Sequence, residues 1–386
     1  MKRILIDTKS VGGESQGIVT YIVGMYNAIH EQYGSEYELF FTGYHKEAIM
    51  EAFPFVDDGH YIQLPETNKV NLLWNIFPKI IEKYNIDYAH FQYVTPFRKN
   101  CKLIVTTHDL LFLDFPEEFS FSYRLKRKFL FKKSLVDSDI RLTVSNYSRE
   151  RISAHFKISA DTVHVTPNAV HDKFFVPFEK KEVQYRMKKK FGFENYLLYV
   201  KKKKKRKNHQ LILDAYEDMD LASKGIQLVL VGNDTLGETK VVEQLKRLKT
   251  KHPEMVNWLP YAEEVDLLDL YRGAWLFLYP SLAEGFGIPP IEAAALGLET
   301  LCSNLTAMQD FTFFEKILFN HTDKERFKKK LNQLITQTDS SHLNTKNRNF
   351  IQEHYSWKKA AEVLHQQISK TAKHQTTPLK AVMTTV

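Results

Sequence analysis

Two carboxylates, Glu284 and Glu292, flank a turn rich in glycine and proline. The segment around them, Tyr279–Gly297, reads YPSLAEGFGIPPIEAAALG. This order predicts a buried strand that ends at Tyr279, then a loop, then a helix with proline in its first turn, where proline is tolerated. We expect Glu284 in the loop and Glu292 in the first helical turn to point into one cleft. A carboxylate accepts two hydroxyl hydrogen bonds, which suits the diol of a sugar or a ribose.

The same turn offers a site for an anion. The N–H groups that open a helix, and the positive end of its dipole, bind phosphate at the carboxyl edge of a parallel sheet. Gly285 and Gly287 would let the backbone approach a ligand closely. Both carboxylates could instead be solvated residues of a loop and a helix end.

A basic run, Lys201–Lys207, follows a predicted strand and precedes a helical segment. Its position favours a loop that faces a phosphate, with Lys203–Lys205 exposed. The other interpretation is a solvated charged surface or a nucleic-acid patch. The sequence shows no recognisable nucleic-acid-binding fold and no basic strip interleaved with aromatic residues. We therefore expect no nucleic-acid partner.

Short apolar runs alternate with helical segments along the whole chain, which predicts parallel sheets covered on both faces. One series precedes about residue 175 and a second follows it, so we expect two doubly wound α/β domains. The predicted strands include Ile4–Asp7, Tyr37–Phe41, Tyr88–Phe91, Leu103–Thr106, Arg141–Val144, Tyr196–Val200, Ile226–Val231, Leu276–Tyr279 and Leu318–Phe319.

The predicted domains are residues 1–173 and 174–356, followed by a helix over 357–373 that crosses back to the first domain and a flexible tail over 374–386. The chain of 386 residues is long enough for two domains. Its two cysteines lie in different halves, which argues against a disulfide scaffold or a zinc cluster. The start lacks the apolar run of a signal peptide, and no segment is apolar enough to span a bilayer. We therefore expect a cytoplasmic protein that contacts a membrane only from the surface, at its inner face.

The net charge of +8 suggests an anionic partner. Basic and apolar residues mix at helical spacing over Tyr123–Lys133. An ordinary amphipathic helix packed on the first sheet is the slightly favoured interpretation. The alternative is peripheral contact with an anionic membrane through Arg124–Lys133.

Several further segments occur in an order that resembles retaining GT-B glycosyltransferases of family four. The pair Glu284 and Glu292 around Gly-Phe-Gly resembles the donor-site signature of that family. The other matching segments are Gly17–Tyr21, Thr107–Leu110, Phe115–Glu117, Thr143–Ser148, Val165–Asn168, Lys207-Asn208 and Tyr355–Trp357. The resemblance covers roughly residues 1–370 and implies two facing Rossmann-like domains, with the donor on the second and the acceptor on the first.

The resemblance also implies roles for particular residues. Glu284 would contact the hydroxyls of the donor sugar, and Glu292 would hold the ribose. His108 would lie beside the anomeric centre and the acceptor. The remaining donor contacts would be the backbone of Gly285, Phe286 and Gly287, the pyrophosphate clamp Lys202 and Lys207, and the glycine loop of the first domain with Gly13 and Gly17.

The implied activity is transfer of a hexose, mannose-, glucose- or rhamnose-like, from a nucleoside-diphosphate sugar to a glycan or lipid-linked acceptor in bacterial surface polysaccharide synthesis. No cofactor or metal is expected, because no Asp-x-Asp segment occurs where a metal would hold the pyrophosphate. The chain departs from the family pattern at Lys201, Ala169, Leu298–Thr300 and Gln309-Asp310. These departures leave open a catalytically impaired relative that binds a glycan or a protein.

Overall fold

Strands and helices alternate throughout the chain, whose computed structural model describes residues 1–13, 16–200, 205–232, 239–314, 318–319, 323–336 and 341–373. The strands are β1 (Lys2–Asp7), β2 (Tyr37–Gly43), β3 (Tyr61–Gln63), β4 (Tyr88–Gln92), β5 (Lys102–Thr106), β6 (Ile140–Thr143), β7 (Val163–Val165), β8 (Tyr196–Val200), β9 (Gln227–Val231), β10 (Val256–Leu259), β11 (Leu276–Tyr279), β12 (Thr300–Ser303) and β13 (Leu318–Phe319).

The helices connect these strands. They are α1 (Gln16–Tyr33), α2 (Lys46–Ala52), α3 (Lys69–Asn71), α4 (Phe77–Lys83), α5 (Leu111–Asp114), α6 (Phe121–Asp137), α7 (Asn146–Phe156), α8 (Lys180–Phe191), α9 (His209–Asp218), α10 (Thr239–Lys251), α11 (Glu264–Gly273), α12 (Ile288–Ala295), α13 (Lys324–Thr336), α14 (Ser341–His354) and α15 (Trp357–Lys373). None of the helices in the described part of the chain is long and apolar enough to cross a membrane.

The chain divides into two compact units. The first unit comprises Met1–Ala169 together with the chain from Trp357, and the second is Val170–Ser356. The boundary therefore falls four residues before the predicted end of the first domain at residue 173. Residues 374–386, expected to be a flexible tail, lie outside the described residues.

In the first unit, the described strands form one parallel sheet in the order β3-β2-β1-β4-β5-β6-β7. The middle residues of its central strands β1 and β5 are apolar because helices cover both faces of the sheet. Ile4–Ile6 and Leu103–Val105 are fully buried. The order of the strands reverses between β1 and β4, which is the doubly wound topology expected from the sequence.

In the second unit, the described strands form another parallel sheet in the order β10-β9-β8-β11-β12-β13. Its order reverses between β8 and β11. Both sheets confirm the prediction of two doubly wound α/β domains. The sequence analysis missed β3, β10 and β12, which are short strands that contain polar residues.

Helix α15 packs against α1 within the first unit. The two helices approach closely at Gly24, where an added Cβ atom would lie 2.0 Å from the ring of Trp357. That ring also meets the edge of Tyr21, with the ring centroids 6.0 Å apart. A side chain at position 24 would therefore force the two helices apart.

We expect Gly24→Ala to lower the free energy of unfolding of the first unit by about 1–3 kcal/mol, because it overpacks this contact. Gly17→Ala is the matched control on the same helix, since no atom of the described residues outside the helix backbone lies within 4 Å of the position that its Cβ would take. That change should leave the stability unchanged or raise it by up to about 1 kcal/mol. Denaturant unfolding checks both values, and equal effects of the two substitutions would contradict the close packing.

Candidate functional site

The loops that follow β8 and β11 lie at the switch point of the second sheet, where ligands bind in doubly wound folds. These loops are joined by hydrogen bonds at Arg206. Its carbonyl oxygen accepts from the backbone N–H of Leu282 at 2.7 Å and from the hydroxyl of Ser281 at 3.3 Å. The described end of the predicted basic run, Arg206-Lys207, therefore lies next to the predicted carboxylate turn.

Lys207 and Glu284 form an ion pair within these loops. Their side chains are only 3% and 9% exposed, so the pair is almost fully removed from solvent. The carboxylate oxygen Oε1 that binds Lys207 also accepts from the hydroxyls of Tyr279 at 2.6 Å and Ser281 at 2.8 Å. Because its charge is met by an ammonium group and two hydroxyls, Glu284 is held as a carboxylate in a fixed position.

Two buried tyrosines near Glu284 stay protonated: Tyr279, which donates to its carboxylate, and Tyr199, which donates to the carbonyl oxygen of Lys207. Burial, and then the negative charge of Glu284, raises the pKa of Tyr279 well above its usual value. The same two causes raise the pKa of Tyr199, whose ring lies 6.4 Å from that of Tyr279. Tyr279 therefore remains a hydrogen-bond donor to the carboxylate at every physiological pH.

The backbone after Glu284 is fixed by its neighbours. The N–H of Glu284 donates to the hydroxyl of Thr306 at 2.9 Å. Gly287 precedes α12 with φ of 104°, a conformation that side chains disfavour, and an added Cβ would lie 3.3 Å from Phe311. Phe286 is buried against the ring edges of Phe311 and Tyr355. A ligand would therefore meet the backbone of this turn rather than the ring of Phe286.

Glu292 is the fifth residue of α12, so it lies in the second turn rather than in the first turn as predicted. Its Oε2 accepts from the hydroxyl of Tyr271 at 3.5 Å. Burial, and then the charge of Glu292, raises the pKa of Tyr271. Lys202, the other predicted basic residue of the clamp, lies outside the described residues.

The first unit has its own switch point between β1 and β4, and a glycine-containing loop follows β1. Within that loop Gly12 has φ of 83°, and an added Cβ would lie 2.7 Å from the ring of His45. The predicted contacts Gly13 and Gly17 are both exposed. Outside the backbone of its own helix, no atom of the described residues lies within 4 Å of the Cβ position of Gly17, which leaves room for a ligand there.

His108 follows β5, at the carboxyl edge of the first sheet. Its Nε2 lies 2.7 Å from Oε1 of Gln92, the last residue of the neighbouring strand β4. Because an amide oxygen only accepts, Nε2 carries the proton and Nδ1 is the acceptor. The edge of Tyr21 also contacts the ring, with the centroids 5.0 Å apart. Burial lowers the pKa of His108 to about 3, so the imidazole is neutral at physiological pH.

This burial predicts a dependence of stability on pH. Free histidine has a pKa near 6.5, so between about pH 6.5 and 3 the unfolded chain binds a proton at residue 108 that the folded chain does not. Stability therefore falls as the pH falls, by about 1.4 kcal/mol per pH unit for this residue. His108→Gln should remove that part of the slope in denaturant titrations between about pH 6 and pH 4. An unchanged slope would contradict a buried neutral imidazole.

Several contact residues were not found from the sequence. Tyr279 and Ser281 lie in the predicted carboxylate turn, but the sequence indicated no role for them. Neither Gln92 nor Tyr271 was predicted as a site residue. Gln92 is the last residue of a strand beside the switch point, which is the signal that could have identified it. The amide nitrogen of Gln92 is buried without a hydrogen-bond partner among the described residues, so it is a further donor beside His108.

Two models of known protein families match the chain, one over each unit. The model of the family described as Glycosyltransferase Family 4 matches residues 15–174, and that of Glycosyl transferases group 1 matches residues 181–357. O-antigen chain mannosyltransferase B of Escherichia coli is 28% identical over 54% of this chain and 55% of its own length. O-antigen chain mannosyltransferase RfbU of Salmonella typhimurium is 26% identical over 61% of this chain and 62% of its own length. The chain thus spans little more than half of these relatives.

Solved structures share the fold over nearly the whole chain. Sucrose-phosphate synthase from Thermosynechococcus elongatus has a TM-score of 0.73 at 17% identity, over 97% of this chain and all of that one. Anabaena HepE, solved in complex with UDP and glucose, has a TM-score of 0.69 at 15% identity and the same coverage. At this identity the likeness shows the fold alone. The two family models together cover most of both units, so the chain belongs to the glycosyltransferases that they describe, Glycosyltransferase Family 4 over the first unit and Glycosyl transferases group 1 over the second, and its fold is GT-B.

Proposed function

We propose that this chain transfers a hexose from a nucleoside-diphosphate sugar to a glycan or lipid-linked acceptor, with retention of configuration at the anomeric carbon. The second unit would bind the donor. The chain would act in the assembly of a bacterial surface polysaccharide, as the names of the O-antigen relatives suggest.

The observation that carries this proposal is the buried pair of Lys207 and Glu284 at the carboxyl edge of the second sheet. A buried ion pair is a poor way to stabilise a fold, since apolar residues of similar volume often do as well or better. Its place at a switch point, next to the turn that opens α12, supports a role in binding a ligand.

The chemistry of transfer assigns a role to each partner. Negative charge builds up on the leaving diphosphate as the glycosidic bond breaks, and a preorganised ammonium group stabilises that charge. Lys207 would supply this group, while Glu284 would accept hydrogen bonds from the sugar hydroxyls. Retention would follow from attack on the same face of the sugar, with the departing phosphate accepting the proton of the acceptor.

We infer that the reaction needs no metal ion, because Lys207 would neutralise the diphosphate. Transfer should therefore proceed at the same rate in EDTA. A rate that collapses in EDTA and returns with a divalent ion would refute this part of the proposal.

A mannosyl donor is the best supported choice, because the curated relatives are named mannosyltransferases. The UDP and glucose bound by HepE make a glucosyl donor the first competitor. Thermal-shift measurements with GDP, UDP and dTDP identify the base, because a ligand that binds only the folded chain raises its Tm. Transfer assays with the corresponding sugar donors then test the activity.

The competing proposal is an impaired relative that binds a glycan or protein without transfer. The departures at Lys201 and Gln309-Asp310 favour it. Binding of a nucleoside diphosphate without hydrolysis or transfer of any donor sugar would support this alternative over the enzyme.

Glu292 provides a test of nucleotide binding on its own. Glu292→Ala should weaken binding of the nucleoside diphosphate by about 1–3 kcal/mol, because a buried ribose diol would lose its acceptor. Isothermal titration calorimetry measures the change, and Tyr271→Phe is the control that removes only the hydroxyl beside the carboxylate. Binding equal to that of the parent would exclude Glu292 from the ribose site.

A further inference from the structure

Helix α6 presents a row of exposed apolar side chains. Phe121, Leu125, Phe129 and Val136 are 72%, 59%, 66% and 56% exposed. Their spacing of four, four and seven residues places them on one face of the helix. Among the described helices, α6 exposes the most large apolar side chains; the continuous helical stretch over residues 69–83 exposes two, Val70 and Trp74. We call these four residues the α6 stripe.

The stripe is not the face that anchors α6 to the first unit. The buried residues Phe131, Ser134 and Leu135 lie on another side of the helix. Phe131 stacks on Tyr93, and the hydroxyl of Ser134 accepts from the N–H of Thr95 at 3.0 Å. Helix α6 is therefore apolar on two faces, and the fold uses only one of them.

Basic residues surround the stripe. Helix α6 has six of them, Arg124, Lys126, Arg127, Lys128, Lys132 and Lys133, against one acidic residue, Asp137. Glu117 and Glu118 before the helix reduce the excess without removing it. Lys133 pairs with Asp137, and Arg127 lies over the Tyr123 ring at 4.6 Å. Within the described residues, Arg124, Lys126, Lys128 and Lys132 form no ion pair.

We propose that the α6 stripe docks this chain on the surface of an anionic phospholipid bilayer. Apolar side chains along one helix face, flanked by lysine and arginine, are the pattern of a helix that lies in the membrane interface. The stripe would enter the boundary between headgroups and acyl chains, while the flanking lysines bind lipid phosphates. A second copy of the chain fits less well, because a symmetric contact would bring the same basic residues together.

The test is sedimentation with vesicles of phosphatidylcholine alone and of mixed phosphatidylglycerol and phosphatidylcholine, at low and at physiological salt. The parent chain should pellet with the anionic vesicles at both salt concentrations and with the neutral vesicles weakly. The measurement needs no donor or acceptor, so its outcome does not depend on the transfer activity.

Two variants separate the contribution of the apolar stripe to vesicle binding from that of the basic residues. Phe121→Ser/Leu125→Ser/Phe129→Ser should lower the partition coefficient on anionic vesicles at least roughly tenfold. Lys126→Gln/Lys128→Gln/Lys132→Gln should lower it on the order of a hundredfold. The matched control is Lys246→Gln/Lys249→Gln/Lys251→Gln, which removes the same charge from exposed positions of α10 and should leave binding unchanged.

Circular dichroism and thermal melting establish that each variant is folded. Since the changed side chains are exposed, both α6 variants should melt close to the parent temperature. Equal pelleting of the parent and the stripe variant would overturn the proposal. So would a parent chain that is a dimer in light scattering, with no affinity for vesicles, and becomes a monomer in the stripe variant.

Discussion

Replacing Glu284 with Gln is expected to reduce kcat/KM for an intact nucleotide sugar by about 100- to 1000-fold. The amide keeps the size of the side chain and can still accept from Tyr279 and Ser281. It leaves the buried ammonium group of Lys207 without the charge of Glu284, so urea unfolding must first show that the variant is folded. It loses the charge that, in our proposal, holds the sugar hydroxyls and balances Lys207. Steady-state kinetics with the donor identified by thermal shift measures the change.

The nucleoside diphosphate without its sugar serves as the control ligand. Its Kd should be no weaker than that of the parent, because Glu284 is proposed to contact the sugar, and the ammonium group of Lys207 stays in place for the diphosphate. Glu263→Gln, at an exposed position before α11, is the matched control protein and should leave kcat/KM unchanged. If Glu284→Gln turns over as fast as the parent, or if it loses the nucleoside diphosphate and the sugar donor equally, the assigned role is wrong.

Replacing Lys207 with Met should destabilise the second unit by about 3–5 kcal/mol, because it leaves the carboxylate of Glu284 buried without its cation. Lys207 is 2% exposed, so water cannot take the place of the ammonium group. Urea unfolding followed by a probe in the second unit measures the loss. The same substitution should abolish transfer.

The double variant Lys207→Met/Glu284→Gln separates stability from function. Removing both charges should restore much of the lost stability, since a neutral pair has a smaller desolvation penalty. Transfer should stay absent, because the diphosphate would still lack its cation. A double variant that is no more stable than Lys207→Met alone would show that the two side chains do not act as a pair.

The architecture was predictable because buried strands leave a strong pattern. The apolar runs of β5, β8 and β11 were identified from the sequence, and the doubly wound topology follows from their alternation with helices. Strand β12, Thr300–Ser303, was missed because it is short and half polar. The segment Leu298–Thr300 had been noted only as a departure from the family pattern, whereas Thr300 already pairs with Phe277 of β11.

The partners of the site residues were less predictable than the residues themselves. The spacing of Glu284 and Glu292 indicated a ligand-binding turn, but spacing alone does not report contacts between distant segments. Lys207 and Glu284 are 77 positions apart, and their contact depends on β8 lying beside β11. The sequence analysis assigned these two residues to different parts of the donor. The hydrogen bond between Gln92 and His108 likewise depends on the pairing of β4 with β5.

The return of α15 to α1 has a consequence for synthesis on the ribosome. The last helix of the first unit, α15, begins at Trp357. The whole second unit, Val170–Ser356, is therefore translated after Ala169 and before this helix. When Ala169 leaves the ribosome, the surface of α1 around Gly24 still lacks its partner. A nascent first domain must therefore wait, with an apolar helix face uncovered, while the second domain is made. This interval is when chaperones would have their main opportunity to bind the nascent chain.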